Sequence, residues 1–151
     1  MDVTIREIQT ADKAQWRELW NGYNQFYESS VSEAVTEKTW QRMLSEHSSI
    51  EGRVAVVNGE VKGFAHIVLH EGTWELAPIC YLEDLFVAPD MRGNGLARRL
   101  IQSLVDEGKA KGWSRLYWHT RENNPARKLY DQFTDVEDFV LYRMNLSGRG
   151  V

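Results

Sequence analysis

The chain has 151 residues, 42% hydrophobic and 26% charged, which suits one globular domain. A formal net charge of −4 argues against binding nucleic acid by phosphate neutralisation, and a single cysteine excludes an intrachain disulfide. The first residues do not resemble a secretory signal, and no apolar run has the length of a membrane span. We therefore expect one domain over residues 1–151 with a frayed tail at 147–151, a cytoplasmic location, and neither nucleic acid nor membrane as a partner.

Hydrophobic spacing and turn residues predict five elements in the first half of the chain. Thr10 or Asp12 caps the first helix, and Thr36 caps the second. Asn58 and Gly59 separate two β-rich runs and predict a tight hairpin. In chain order the predicted elements are a strand at 3–8, helices ending at residues 27 and 44, and strands at 53–57 and 61–69.

The second half alternates strands with helices. A strand at 79–87 stops at Pro89, because proline cannot continue a central ladder. The clearest helix runs from Gly95 to Lys111, carries an apolar stripe, and ends at Gly112. A strand at 116–120, a helix at 124–133 and a strand at 139–146 follow. This order predicts an α/β fold, in which a mixed sheet carries helices on both faces.

The segment from Arg92 to Ala97 joins a buried strand to the long helix. The helix start offers unpaired N–H groups and the positive end of the helix dipole, and Gly93 and Gly95 allow the backbone to approach a bulky anion. These features predict a phosphate or pyrophosphate cradle. A nucleotide P-loop is excluded because no Lys-Ser/Thr follows, and Arg98 stands where a dinucleotide fingerprint needs its third glycine. A plain strand–helix turn remains the alternative.

Two motifs resemble those of the GNAT-type N-acetyltransferases: Arg92-x-x-Gly95-x-Ala97 after a strand that ends Leu85-Phe86-Val87, and Asn123-x-x-Ala126-x-x-Leu129-Tyr130 downstream. The resemblance covers essentially the whole chain. It implies a GNAT-type fold, whose mixed, mostly antiparallel and splayed sheet is flanked by helices on both faces. It also implies acetyl-CoA as cosubstrate, no metal, and direct transfer of the acetyl group to a primary amine.

Other segments are similar to narrower branches of this family. The run from Tyr81 to Val87 resembles the strand of spermidine/spermine and thialysine N-acetyltransferases. The aromatic residues between Trp16 and Tyr27 resemble the branch that acetylates histones, polyamines or D-amino acids. The implied acceptor is a small-molecule amine (a polyamine or an amino acid) or a lysine-bearing peptide, and these alternatives stay open.

The resemblance also assigns residues to the cofactor. The strand end Leu85-Phe86-Val87 would pair through its backbone with the pantetheine arm, and the N–H of Val87 would polarise the thioester carbonyl. Asn123 would hold the pantetheine or a neighbouring water, with a helix N-cap as its alternative role. The implied cofactor-binding set is completed by Arg92, Gly93, Asn94, Gly95, Leu96, Ala97, Arg98 and Ala126.

Tyr130 corresponds to the family's general acid, which protonates the departing thiolate, and a phenol with an ordinary pKa near 10 suits a thiol near 8.5. A core aromatic at helical spacing is the alternative. Glu83 is the predicted base, acting directly or through a water, since it aligns with the acid proposed as base in the polyamine branch. Asp84 follows it, so a regular strand would point the two side chains to opposite faces. Either carboxylate could instead pair with an arginine.

Tyr27, Asp84 and His119 are the predicted contacts of the acceptor, with core packing or a structural role as the alternative. His66 and His70 lie about 13 Å apart on a strand, too far to share a metal. The link at 131–138 lacks the family's usual Gly-Phe, so its turn is left unpredicted. A homodimer is expected, in which the strand at 139–146 is a swap or edge element. A CoA-binding sensor or complex subunit without catalysis is the alternative function.

Overall fold

The computed structural model describes residues 1–147, so the frayed tail predicted at 147–151 lies almost entirely outside the described residues. Contacts divide the chain into a first unit, Met1–Trp118, and a second unit, His119–Val151. The helices and strands in chain order are β1 Val3–Glu7, α1 Lys13–Phe26, α2 Glu33–Leu44, β2 Ile50–Val57, β3 Glu60–His70, β4 Ile79–Val87, α3 Leu96–Lys111, β5 Arg115–Tyr117 and α4 Arg127–Tyr130.

The first unit is built on a five-stranded sheet in the order β1-β2-β3-β4-β5. Neighbouring strands are antiparallel except for β4 and β5, which are parallel. The β2–β3 hairpin turns at Asn58 (φ 49°) and Gly59 (φ 85°), because its tight turn needs positive φ at both positions. The predicted hairpin and the mixed, mostly antiparallel sheet are therefore confirmed.

β4 and β5 diverge soon after they meet. β5 pairs with β4 only over Ile79–Tyr81. β4 continues to Val87, whereas β5 ends at Tyr117 and not at Thr120 as predicted. The sheet is therefore splayed along the C-terminal half of β4, and this opening positions the candidate site.

Helices cover both faces of the sheet, as predicted. α1 and α2 pack on the face that carries Phe86, around the fully buried Trp16. α3 packs on the opposite face, where Leu96 contacts Val87. Adjacent strand residues point to opposite faces, which is why Phe86 and Val87 belong to different clusters. Burying a large apolar side chain stabilises the fold by roughly 1.5–3 kcal/mol. The helices on each face are therefore held by the core on that face.

The second helix begins earlier than predicted. α2 starts at Glu33, and Ser32 caps it by accepting a hydrogen bond from the N–H of Val35 (3.2 Å). Thr36, the predicted cap, lies inside the helix, where its buried hydroxyl accepts a hydrogen bond from the Trp20 indole (3.0 Å). The prediction was wrong because serine and threonine both cap helices well, and only the contact with α1 shows which one the core requires.

The second unit has less regular structure than the sequence predicts. The helix predicted over 124–133 is confined to α4, and the link at 131–138 contains no helix or strand. The strand predicted over 139–146 was also wrong: within residues 1–147 no strand pairs with this segment, and a strand needs a neighbour for its backbone hydrogen bonds. Its large apolar side chains are exposed, namely Phe139, Val140, Leu141, Tyr142, Met144 and Leu146.

Candidate active site

The start of α3 follows a turn of glycines with left-handed backbone. Gly93 (φ 84°) and Gly95 (φ 77°) both have positive φ, a conformation that costs other residues roughly 1–2 kcal/mol. Gly95 directly precedes Leu96 and has no side chain to cap the N–H groups of the first helical turn. The turn from Arg92 to Gly95 is exposed. The predicted cradle therefore has the geometry of an anion site, with backbone donors and the positive end of the helix dipole facing outward.

Two further predicted phosphate contacts lie at this turn. The Asn94 amide donates a hydrogen bond to the carbonyl oxygen of Met91 (3.0 Å), which closes the turn on itself. Arg98 is exposed in the first turn of α3, beside the small and half-buried Ala97. Apart from Leu96, which is buried against Val87, the predicted residues from 92 to 98 therefore lie at the surface at the start of α3.

Arg92 lies across the end of β4. Its guanidinium carbon is 5.5 Å from the ring centre of Phe26 and 5.3 Å from that of Phe86. Its Nε donates a hydrogen bond to the carbonyl oxygen of Val87 (3.3 Å). Cation–π contacts of this kind contribute roughly 0.5–1 kcal/mol at exposed sites. The sequence predicts only a phosphate contact for Arg92, and it does not predict that Phe26 supports the side chain.

The C-terminal half of β4 turns part of its backbone away from β3. The N–H of Ala88 donates to the carbonyl oxygen of Lys62 (2.8 Å), which places these two residues in a hydrogen-bonded pair. Because such pairs alternate along antiparallel strands, the N–H and C=O groups of Leu85 and Val87 point away from β3. β5 has already ended on that side. The outward edge of β4 therefore presents backbone groups to a ligand that can pair like an added strand, although the Val87 carbonyl also accepts from Arg92.

Glu83 occupies a β-bulge in β4. The pairing register shifts between His66 and Ile67, so that Asp84 faces His66, Leu82 faces Ile67, and Glu83 is the extra residue. His66 and Ile67 point to opposite faces of the sheet, and their partners Asp84 and Leu82 do the same although they are two residues apart. The prediction that Glu83 and Asp84 point to opposite faces assumed strict alternation along β4. The bulge interrupts that alternation, so the assumption does not hold.

The two carboxylates at the bulge differ in their surroundings. Asp84 is largely buried and accepts hydrogen bonds from the Tyr23 hydroxyl (2.7 Å) and from Nδ1 of His66 (2.9 Å). The Glu83 side chain reaches solvent, but incomplete hydration and then the negative charge of Asp84 raise the pKa of its carboxyl. Burial and the same negative charge raise the pKa of the Tyr23 phenol, which therefore stays a neutral donor. Within the described chain, neither carboxylate pairs with an arginine, which was the alternative role predicted for them.

Tyr27, a predicted acceptor contact, packs on this network. It is about half exposed, and its ring centre is 4.9 Å from that of Tyr23. Asp84 belongs to the network itself, and its inward hydrogen bonds direct it toward α1. His119 is exposed in the second unit. Residues 1–147 contain no group of three or more His, Cys, Asp or Glu side chains arranged to hold a metal ion.

The second motif lies in the second unit. Asn123 is exposed, whereas the Asn124 side chain makes two hydrogen bonds: its Oδ1 accepts from the N–H of Ala126 (2.9 Å) and its amide donates to the Thr120 hydroxyl (2.8 Å). These contacts close the turn before α4, whose N-cap is Ala126 without a side-chain cap, so the N-cap role considered for Asn123 was wrong. Tyr130 is the last residue of α4 and is half-buried. The roles of Asn123, Ala126 and Tyr130 toward the cofactor stay predictions.

The sequence analysis gave no role to Trp16 or His66. The Trp16 indole N–H donates to Nε2 of His66 (2.9 Å), and both side chains are buried. A signal for these residues exists in the sequence. Trp16 and Tyr23 are seven apart on a helix and share its inner face, and Phe64 and His66 alternate onto one face of a strand. Nothing in that pattern shows that the two faces meet.

Comparison with known proteins identifies the family to which this chain belongs. A family model described as the acetyltransferase (GNAT) family matches residues 13–134. A D-amino-acid N-acetyltransferase, HPA3 of Saccharomyces cerevisiae, is 28% identical over 146 residues, 95% of this chain and 91% of the relative. A thialysine N-epsilon-acetyltransferase of Caenorhabditis elegans is 29% identical over 125 residues, 79% of this chain and 78% of the relative.

A solved structure shows the same fold. The crystal structure of a ribosomal-protein-alanine N-acetyltransferase from Brucella melitensis biovar Abortus 2308 has a TM-score of 0.80 and 23% identity, covering 97% of this chain and 100% of that one. The splayed sheet, the helix-start cradle and the family match agree with one another. The chain belongs to the GNAT acetyltransferase family. It is an N-acetyltransferase that acts on an amine, and the family's acetyl donor is acetyl-CoA.

Proposed function

We propose that acetyl-CoA binds along the outward edge of β4, with its pyrophosphate at the start of α3, and that a small-molecule primary amine is the acceptor. One observation carries this proposal. The outward backbone groups of Leu85 and Val87 are followed, after the turn at 88–92, by the left-handed glycines of the cradle. An extended arm with amide groups fits the strand edge, and a pyrophosphate fits the helix start.

We further propose that residues 1–151 form one catalytic domain. The family match extends over residues 13–134 and so includes parts of both units. Under this proposal, Asn123 and Ala126 contribute to cofactor binding, as the family resemblance implies. Tyr130 of the second unit supplies the acid. Loss of turnover in Tyr130→Phe would therefore also show that the second unit takes part in catalysis.

When bound, acetyl-CoA supplies an acetyl group activated as a thioester, and the residues of the chain orient it and move protons. The amine nitrogen forms a bond to the acetyl carbon as the carbon–sulfur bond breaks. Glu83, directly or through a water, accepts the proton that the amine loses, and Tyr130 gives a proton to the departing sulfur. An amine with pKa near 10 costs about 4 kcal/mol to deprotonate at pH 7, so a base with a raised pKa lowers the barrier.

The surroundings of Glu83 suit an acceptor that arrives as a cation. Glu83 and Asp84 are adjacent carboxylates, and the ring of Tyr27 next to Tyr23 offers a face to an ammonium group. The names of the two relatives, for D-amino acids and for thialysine, support a small-molecule amine over a lysine-bearing peptide.

An acceptor screen tests this function. Thiol release would be measured at one acetyl-CoA concentration with polyamines, D- and L-amino acids, thialysine and lysine peptides. We expect one class of small amine to exceed the lysine peptides in kcat/KM by about 100-fold or more, a difference of roughly 2.7 kcal/mol in transition-state binding. Turnover with peptides alone would contradict the proposed acceptor. Binding of acetyl-CoA without thiol release from any acceptor would support a CoA-binding module instead.

Alanine at Gly95 is expected to weaken acetyl-CoA binding about tenfold. Its left-handed φ disfavours a side chain by roughly 1–2 kcal/mol, and relaxation of that strain would rotate the first N–H groups of α3 away from the pyrophosphate. Gly112→Ala is the matched control, because Gly112 ends the same helix with φ 78° and, as at Gly95, an added Cβ would meet no atom within 4 Å. Calorimetry should show comparable loss of stability in both variants and weakened binding in Gly95→Ala alone.

We also propose a homodimer in which a second copy of the chain covers the exposed segment at 136–146. This many exposed large apolar side chains in one segment is unusual on a monomer. Light scattering should give twice the chain mass for the natural protein, and the mass of one chain for the double variant Leu141→Asp, Leu146→Asp. Leu76→Asp, at a fully exposed leucine of the first unit, should remain dimeric. A monomeric natural protein at tens of micromolar would refute the dimer.

Cys80 supports a proposed cytoplasmic location. It is a free, buried thiol, and burial raises its pKa to about 12, so it remains protonated and is not a nucleophile. A free thiol suits a reducing compartment. Cell fractionation would test the location directly. As a separate observation, no helix among residues 1–147 is both long and apolar enough to cross a membrane.

A further inference from the structure

A chain of hydrogen bonds runs from α1 through β3 to the bulge of β4. The Trp16 indole donates to Nε2 of His66 (2.9 Å), Nδ1 of His66 lies 2.9 Å from Oδ2 of Asp84, and the Tyr23 hydroxyl donates to Oδ1 of Asp84 (2.7 Å). Trp16 is fully buried, and His66 is 3% exposed. Both oxygens of Asp84 are therefore held from the interior of the protein.

The partner on each side of His66 determines its tautomer. An indole N–H can only donate, so Nε2 of His66 must accept and carries no hydrogen. Nδ1 then carries the hydrogen and donates a hydrogen bond to Oδ2 of Asp84. The rings of Phe64 (4.5 Å) and Trp20 (5.3 Å) surround the imidazole. The indole donor therefore selects the Nδ1–H tautomer of His66.

The end of this chain coincides with the irregularity in β4. The register shift lies immediately after His66, and Asp84 is its cross-strand partner. Glu83, the extra residue of the bulge, is covalently adjacent to Asp84. A carboxylate that is fixed at both oxygens restrains the backbone next to it, so the donors to Asp84 restrain Glu83 as well.

We propose that His66 is a positioning residue for acetyl transfer: its Nδ1–H holds Asp84 toward α1 and so keeps the bulge residue Glu83 directed at the acceptor amine. This inference rests on the proposed role of Glu83 as base. It gives a function to a buried histidine that does not touch the cradle. It also gives Trp16 a function, because its N–H selects the tautomer that can donate to Asp84.

Two amide variants separate the halves of the imidazole. His66→Asn places an amide nitrogen near the position of Nδ1, so it keeps a donor for Asp84 and loses the acceptor for Trp16. His66→Gln reaches the position of Nε2 with its amide oxygen, so it keeps the acceptor for Trp16 and loses the donor for Asp84. Each variant leaves one buried polar partner unpaired, so both are expected to lose stability.

The readout is kcat and KM for each substrate. We expect His66→Gln to lower kcat by about 10- to 100-fold, the effect of misplacing a catalytic group, with the KM for acetyl-CoA unchanged. His66→Asn should stay within about threefold of the natural kcat. Equal losses in both variants, or no loss in either, would overturn the positioning role. Loss of activity in Glu83→Gln combined with full activity in His66→Gln would overturn this inference alone, whereas activity in Glu83→Gln would overturn the proposed base.

A spectroscopic measurement covers the case in which a variant does not fold. In protein labelled with ¹⁵N-histidine, the His66 signals should show a protonated Nδ1 and an unprotonated Nε2 at neutral pH, with the other three histidines assigned by single substitutions. A protonated Nε2, whether in the other tautomer or in the imidazolium, would overturn the proposal without any variant of His66.

Discussion

Tyr130→Phe is expected to lower kcat by about 10²- to 10⁴-fold and to leave acetyl-CoA affinity unchanged. The substitution removes one hydroxyl and keeps the ring, so the packing of the half-buried side chain is retained while the proposed acid is lost. Single-turnover thiol release measures the loss, and calorimetric titration measures the affinity. A more acidic thiol leaves more readily without a proton. The loss of kcat in Tyr130→Phe should therefore be smaller when the acetyl donor is a thioester of a more acidic thiol.

Tyr142→Phe is the control for this prediction. It deletes the same hydroxyl from a tyrosine that is 92% exposed in the same unit. We expect natural turnover from Tyr142→Phe. Natural turnover from Tyr130→Phe as well would remove Tyr130 from the mechanism.

Glu83→Gln is expected to lower kcat by about 10²-fold or more, because the amide cannot accept the proton of the amine. Glu60→Gln is the control, since Glu60 is exposed at the β2–β3 hairpin and belongs to neither the bulge nor the cradle. Equal activity of the two variants would show that another group, or water alone, accepts the proton.

The pH dependence of kcat gives an independent test of Glu83. A base must be deprotonated to act, and the pKa of Glu83 is raised above its ordinary value of 4.5. Activity should therefore rise with pH through this raised pKa and be lost below it. The activity that remains in Glu83→Gln should not show this fall of kcat at low pH, whereas Glu60→Gln should keep it. A fall of kcat that persists in Glu83→Gln would belong to a different group.

Much of the site could be predicted because its chemistry lies in short, local patterns. Gly93 and Gly95 need only their own backbone to adopt positive φ, and the start of α3 follows from an apolar stripe that begins at Leu96. The glycine turn and the helix start involve residues close together in the chain, so sequence spacing describes them well. The free backbone groups along the C-terminal half of β4 were implied by the family resemblance and not by spacing, and the hydrogen bond from Ala88 to Lys62 agrees with them.

The bulge at Glu83 could not be predicted in the same way. Alternation along β4 reads as regular, and the interruption appears only in the register with β3, between His66 and Ile67. A similar limit applies to Thr36, whose hydroxyl is used by Trp20 and not by the helix start. In both cases the partner is distant in sequence, and its choice depends on which surfaces pack together.

The sequence by itself determined the order of the elements through Lys111, the glycine cradle and the family of the chain, because local propensity and contiguous motifs are sufficient for these. Only the tertiary structure decided that β5 ends at Tyr117, that Asp84 is held by Tyr23 and His66, and that residues 139–146 form no strand within the described chain. The physical reason is the same each time. A strand, a buried carboxylate and an imidazole tautomer all depend on a hydrogen-bond partner that local sequence does not specify.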